Sequence, residues 1–179
     1  MKVLILDSGI LINLSMNGLL YILEELKKIS NIRILITKEV KYETIDRPID
    51  IPKFELGALR VQNLLNLRII ELPESLQISD KEINLLTKEL MDIANHSVQS
   101  RSDFIQIVSD AEMSCLALSK ILTNKKIDNI IGIDERTTRI ICEKPENMEK
   151  IMSDKLHQKI IIDKIKLREL SQFKFIRSA

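Results

Sequence analysis

The sequence predicts an α/β fold of three layers, α/β/α, in which a mostly parallel central sheet lies between helices. Short continuous aliphatic runs, typical of strands buried on both faces, recur along the chain. Longer segments with apolar residues at helical spacing separate them. This alternation favours parallel pairing, because the helices supply the crossover connections. Hydrophobic residues make up 45 % of the chain and aromatic residues 3 %, so the core is expected to be aliphatic.

The predicted strands are the aliphatic runs themselves. Four are assigned to the central sheet: VLIL (3–6), IRILI (32–36), RIIEL (68–72) and NIIGI (129–133). KIIIDKI (159–165) and FKFI (173–176) have strand patterns in the C-terminal part. The polar segment HSVQSRSD (96–103) is predicted to be a loop.

The predicted helices fill the intervals between these strands. Two begin at capping boxes, in which Ser79 is followed by Glu82 and Ser109 by Glu112. The predicted helical segments are 19–29, 38–45, 54–67, 79–95, 109–122, 137–143 and 146–158.

Length and composition limit the organisation of the chain. With 179 residues, it is expected to form one domain: a core over 1–143 and a C-terminal helix/strand extension over 144–179 that packs on or completes it. The net charge of +1 means that binding of nucleic acid would need a local basic patch. No apolar run reaches membrane-spanning length, so a cytoplasmic protein without membrane contacts is expected.

Acidic residues follow two of the predicted strands directly. Asp7 comes after VLIL and Asp134 after NIIGI, and the carboxyl ends of parallel strands meet at one edge of a sheet. Glu43, on the helix after the second strand, and Asp110, in the first turn of the helix before the fourth, can join them. Carboxylates gathered together repel one another unless a cation neutralises them. An oxygen-rich set of this kind suits Mg²⁺ or Mn²⁺.

Four segments, in order, resemble the motifs of PIN-domain nucleases. They are LDSGILI (6–12), TKEVKYE (37–43), SDAEMSCLALS (109–119) and GIDERTTR (132–139). The resemblance covers residues 2–143 and leaves the segment after Pro145 unexplained.

This resemblance implies a divalent-metal-dependent endoribonuclease that hydrolyses RNA phosphodiester bonds. Asp7, Glu43, Asp110 and Asp134 would hold Mg²⁺ or Mn²⁺ and orient the attacking water, and Ser8 would support Asp7. Glu135 stands where the family often has a second Asp.

Several assignments within this site stay open. Asp110 and Glu112 both fit the third motif; Glu112 also fits the capping box, so the metal role is given to Asp110 and a supporting role to Glu112. Glu39 lies one turn before Glu43 and could replace it. Arg139 is a candidate for phosphate contact or for an ordinary salt bridge.

The biological setting has competing interpretations. The long middle and the C-terminal extension favour RNA processing or quality control over a ribonuclease toxin of a toxin–antitoxin pair. A non-catalytic module for binding RNA or protein, and a phosphatase or receiver-like domain, share the acidic residues at the strand ends. A homodimer and an antitoxin partner are left open, the antitoxin being the less favoured.

Overall fold

The structure is a computed structural model that describes residues 1–100 and 103–177. Its strands, in chain order, are β1 (Lys2–Leu6), β2 (Ile32–Leu35), β3 (Val98–Ser100), β4 (Asp103–Phe104), β5 (Asp128–Gly132), β6 (Ile160–Ile162) and β7 (Phe175–Ile176). Within the described residues, β2-β1-β5-β7 form an all-parallel sheet of four strands. A second, antiparallel sheet has the order β4-β3-β6.

Helices occupy most of the chain between these strands. They are α1 (Ser8–Met16), α2 (Tyr21–Ile29), α3 (Lys38–Lys41), α4 (Glu55–Asn66), α5 (Asp80–Asn95), α6 (Asp110–Asn124), α7 (Arg136–Glu143), α8 (Met148–Leu156) and α9 (Lys164–Arg168). The predicted α/β class with a parallel central sheet is confirmed, and the arrangement is compatible with three layers.

The predicted strand at 68–72 is wrong. Only Glu71 forms a bridge, to Leu35 of β2, among the residues described. Arg68 has a left-handed backbone with φ of 55°, and the amides of Ile69 and Ile70 both donate to the carbonyl of Leu64 at the end of α4. The turn that ends α4 therefore uses, in its own hydrogen bonds, the backbone amides that a longer strand would need for pairing.

The predicted loop at 96–103 is also wrong in part. It contains β3 and the first residue of β4, while Arg101 and Ser102 lie outside the described residues. Val98 is fully buried and pairs with Ile162 of β6. Pairing with a strand from the C-terminal segment thus overrides the polar composition of this stretch.

The C-terminal segment adds strands to both sheets. β6 pairs with β3, and β7 extends the main sheet next to β5, where Ile131 is opposite Phe175. The amide of Ile131 donates to Lys174 and that of Ile133 to Ile176, at 2.9 and 3.1 Å. Among the described residues, no helix is long and apolar enough to cross a bilayer.

The core is expected to depend on the aliphatic side chains of the central strands. Ile131 of β5 has no exposed surface, so Ile131→Ala should lower the free energy of unfolding by about 2–5 kcal/mol through lost burial and a cavity. The matched change Ile165→Ala, at a side chain that is 80 % exposed, should alter it by less than about 0.5 kcal/mol. Urea denaturation of both variants tests this; equal effects would contradict the described core.

Candidate functional site

The register of β1 and β5 sets the position of the candidate site. Leu6 is opposite Gly132, and the amide of Asp7 donates to the carbonyl of Gly132 at 2.9 Å. Asp7 therefore leaves the sheet directly beside the end of β5, and Asp134 follows two residues after Gly132. The prediction that parallel pairing brings these two strand ends to one edge agrees with this register.

Asp7 combines burial with an unsatisfied oxygen. It is 3 % exposed and caps α1, where its Oδ2 accepts a hydrogen bond from the amide of Gly9 at 3.1 Å. Its Oδ1 is buried and has no hydrogen-bond partner among the described residues. Burial raises the pKa of Asp7 to about 6; the amides of Gly9 and Ser8 oppose this, and the charges of Glu43 and Asp134 add to it.

Gly9 keeps the space between the two aspartates open. A Cβ atom at Gly9 would lie 3.3 Å from Oδ2 of Asp7 and 4.0 Å from Cβ of Asp134. The side chains of Asp7 and Asp134 therefore both lie near the position that a Cβ atom at Gly9 would occupy. A larger residue there would crowd the Asp7 carboxylate, so the small residue after Ser8 has a role that the sequence had not indicated.

Asp134 is half-buried and receives a hydrogen bond from a distant helix. The side-chain amide of Asn13, on α1, donates to its Oδ2 at 2.8 Å. Sequence reasoning missed Asn13. The available signal was a polar residue flanked by Ile12 and Leu14 in an otherwise apolar stretch.

Glu43 lies where the backbone changes from α-helix to a wider turn. Thr37 caps α3, and its hydroxyl accepts a hydrogen bond from the amide of Val40 at 3.3 Å. The segment Tyr42–Asp46 is then π-helical, a conformation that occurs frequently at functional sites. The carboxylate of Glu43 is close enough to Asp7 for its charge to raise the pKa of Asp7.

Glu112 is held from two directions. The predicted capping box is confirmed: the amide of Glu112 donates to the Ser109 hydroxyl, and the amide of Ser109 donates to Oε2 of Glu112, both at 3.3 Å. The hydroxyl of Thr138, on α7, donates to the same Oε2 at 2.5 Å. Burial raises the pKa of Glu112 to about 7, and the charges of Asp7 and Glu135 contribute.

Asp110 lies in a different environment from Glu112. It is exposed, and its charge contributes to the raised pKa of Glu39, which comes mainly from burial. The charge of Asp7 contributes to the raised pKa of Glu112, whereas the charge of Asp110 contributes to that of Glu39. The metal role given to Asp110 stays a prediction.

The remaining predicted residues have local structural contacts. Glu135 caps α7, accepting from the amides of Thr137 and Thr138. Arg139 is only 8 % exposed, and its Nε has no hydrogen-bond partner within the described part of the chain. The backbone amide of Ser8 opposes the rise in the pKa of Asp7, and the supporting role of its hydroxyl stays a prediction.

Cys115 lies beneath the acidic residues. Its fully buried thiol is 3.8 Å from the carbonyl of Leu6, the residue before Asp7. Burial raises the pKa of this thiol, and the charges of Asp7 and Glu112 raise it further. The thiol therefore stays protonated and is a packing group of the core.

The arrangement fits a cation that is held by few protein ligands. No three His, Cys, Asp or Glu side chains in 1–100 and 103–177 are arranged to hold one metal ion. The orphaned Oδ1 of Asp7 nevertheless provides an acceptor, and the lack of a side chain at Gly9 avoids a close contact with Oδ2 of Asp7. Mg²⁺ is commonly bound through one or two carboxylates and completes its shell with water.

Comparisons of this chain with protein-family models, curated proteins and solved structures find no match. The acidic cluster consists of Asp7, Glu43, Glu112 and Asp134. The charges of Glu43 and Asp134 contribute to the raised pKa of Asp7, and the charge of Asp7 contributes to that of Glu112.

Ionisation of Asp7 is expected to destabilise the fold. The pKa rises from its ordinary 3.8 to about 6, so between these pH values the folded protein holds a proton that the unfolded chain has lost. The free energy of unfolding should therefore fall as the pH rises through this range. Relative to the unmodified protein, Asp7→Asn should gain about 2–3 kcal/mol on going from pH 4 to pH 8.

Denaturation in EDTA at several pH values measures this difference. Asp154→Asn, at an exposed residue of α8, is the control and should show a difference that is nearly independent of pH. A pH-independent difference for Asp7→Asn as well would mean that Asp7 is not a desolvated carboxylate.

The hydrogen bond from Thr138 should couple α7 energetically to Glu112. In a double-mutant cycle of Thr138→Val and Glu112→Ala, the interaction energy should be about 1–2 kcal/mol, because the bond has a carboxylate acceptor in a mostly buried setting. The cycle is measured by urea denaturation at a pH above 7. Additive effects would show that this bond is not formed in solution.

Proposed function

We propose that this protein is a divalent-metal-dependent endoribonuclease with a PIN-like arrangement of acidic residues. The observation that carries the proposal is the buried Oδ1 of Asp7, which lacks a hydrogen-bond donor among the described residues. The charge of Asp134 also acts on the Asp7 carboxylate and contributes to its raised pKa. A buried acceptor of this kind is costly without a partner, and a bound cation would supply one.

Asp7 and Asp134 are the residues proposed to hold Mg²⁺ or Mn²⁺, with Glu43 and Glu112 adding negative charge around them. A bound Mg²⁺ or Mn²⁺ would supply Lewis-acid polarisation of the phosphodiester and a lower pKa for bound water. The contribution of the chain is to keep Asp7 buried and fixed at the start of α1 by the Gly9 amide. With its pKa raised to about 6, Asp7 is ionised at neutral pH and available to a cation.

The third carboxylate of the proposed centre is Glu112 in preference to Asp110. Glu112 is half-buried, and the charge of Asp7 contributes to its raised pKa, whereas Asp110 is exposed and acts on Glu39. The Thr138 hydroxyl donates a hydrogen bond to Oε2 of Glu112. Its Oε1 would therefore be the oxygen that faces the proposed cation site.

RNA is the proposed substrate because the resemblance to PIN-domain nucleases implies it, and a basic residue at the rim of the cluster complements a phosphate backbone. Arg136 is exposed at the first turn of α7, two residues after Asp134, and a guanidinium pairs well with phosphate oxygens. The overall charge of +1 is too small for strong binding by charge alone. We place the activity in RNA processing or quality control.

Cleavage of a labelled single-stranded RNA with Mn²⁺ tests the proposal. Asp7→Asn and Asp134→Asn should each lower kcat/KM by about 100-fold or more, which corresponds to about 3 kcal/mol of transition-state stabilisation. Glu112→Gln should reduce cleavage more strongly than Asp110→Asn if Glu112 is the third carboxylate. EDTA should abolish cleavage, and excess Mn²⁺ should restore it.

Asp128→Asn is the matched control. Asp128 begins β5, the strand that Asp134 follows, and is exposed at the opposite end of the sheet, where it pairs with Lys2 of β1. Its substitution should leave cleavage unchanged. If the Asp7→Asn and Asp134→Asn variants both still cleave RNA, the proposed mechanism is wrong. Mn²⁺ binding without any cleavage would favour a non-catalytic binding module.

A further inference from the structure

Asn13 links the first helix to the second acidic strand end. It lies on α1, and its side-chain amide donates to Oδ2 of Asp134 at 2.8 Å, across 121 residues of sequence. The distance is well within the range of a good N–H···O hydrogen bond. Because Asp7 caps the N-terminus of α1, this bond joins the helix that follows one aspartate to the segment that carries the other.

Neither helix formation nor core packing explains an asparagine here. Asn has a lower intrinsic helix propensity than Leu or Ala, and Asn13 lies between Ile12 and Leu14 in the interior of α1. Its side chain is exposed, so it fills no space in the core. An apolar residue would suit this helical position at least as well, and the contact with Asp134 is the feature that an apolar residue would lose.

An amide orders a carboxylate without cancelling its charge. Elsewhere in the chain, Glu71 receives hydrogen bonds from Arg33 and Lys27, and these cations neutralise it. Asn13 is a neutral donor, as are the Gly9 amide at Asp7 and the Thr138 hydroxyl at Glu112. Hydrogen bonds from such outer groups orient the side chains that bind a metal ion.

We infer that Asn13 is a positioning residue, which holds Asp134 in the orientation needed to share a divalent cation with Asp7. This inference rests on the proposed metal-dependent function. Asn13 acts through Asp134 and contacts neither the cation nor the RNA. Substitutions of residues that orient metal ligands typically weaken metal binding by about 10–100-fold, so its effect should be measurable by binding alone.

The test is a titration of the full chain with Mn²⁺, followed by the electron paramagnetic resonance signal of free Mn²⁺. Asn13→Leu keeps the approximate shape of the side chain but has no donor, and it should weaken Mn²⁺ binding by about tenfold or more. Its urea midpoint in EDTA should equal or exceed that of the unmodified protein, because Leu is the better helix former. A merely structural role would instead lower stability and leave Mn²⁺ affinity unchanged.

Asn84→Leu is the matched control. Asn84 donates to Oδ2 of Asp80 at 3.4 Å, one turn away on α5, so it makes the same type of contact outside the acidic cluster. Its substitution should leave Mn²⁺ affinity unchanged. An Asn13→Leu variant that binds Mn²⁺ within twofold of the unmodified protein would overturn the inference, provided that Asp134→Asn abolishes binding.

The two proposals fail in different ways. Suppose that the unmodified protein binds no Mn²⁺, or that Asp7→Asn and Asp134→Asn leave its binding unchanged. The proposed cation site at Asp7 and Asp134 is then wrong, and so is the positioning role of Asn13. If uptake depends on Asp7 and Asp134 but not on Asn13, the proposed function stands and only the positioning role is rejected.

Discussion

Parallel pairing of β1 with β5 is the constraint on which the rest of the site depends. The two strands are in register from Lys2 opposite Asp128 to Leu6 opposite Gly132. This register fixes where each strand ends, and therefore that Asp7 and Asp134 emerge at the same edge. A shift of one residue would turn every side chain of the shifted strand to the opposite face of the sheet and separate the two acids. The aliphatic core that fixes the register thus also determines the chemistry at its edge.

The buried carboxylates of the acidic cluster lower the stability of the fold when they are ionised. Burial raises the pKa of Asp7 to about 6 and that of Glu112 to about 7, so ionising both carboxylates at one edge costs free energy. Neutral donors offset part of that cost: the Gly9 amide at Asp7 and the Thr138 hydroxyl at Glu112. Such a conflict between stability and local charge is common where a site serves binding or catalysis.

The sequence predicted what depends on local pattern and missed what depends on distant contacts. The aliphatic runs of β1, β2 and β5 and the capping box of α6 are local features, and they were predicted correctly. The contacts of Asn13 with Asp134 and of Thr138 with Glu112 span 121 and 26 residues, and nothing in the local pattern specifies them. The strand β3 was missed for the same reason, because its partner β6 lies in the C-terminal segment.

A crystal structure of the protein soaked in Mn²⁺, with anomalous scattering recorded, tests the central claim most directly. We expect an anomalous peak at roughly 2.0–2.3 Å from Oδ1 of Asp7, the buried oxygen without a hydrogen-bond donor in the described chain, and within reach of Asp134. A hydrogen-bond donor in contact with that oxygen, and no peak beside it at saturating Mn²⁺, would contradict the account.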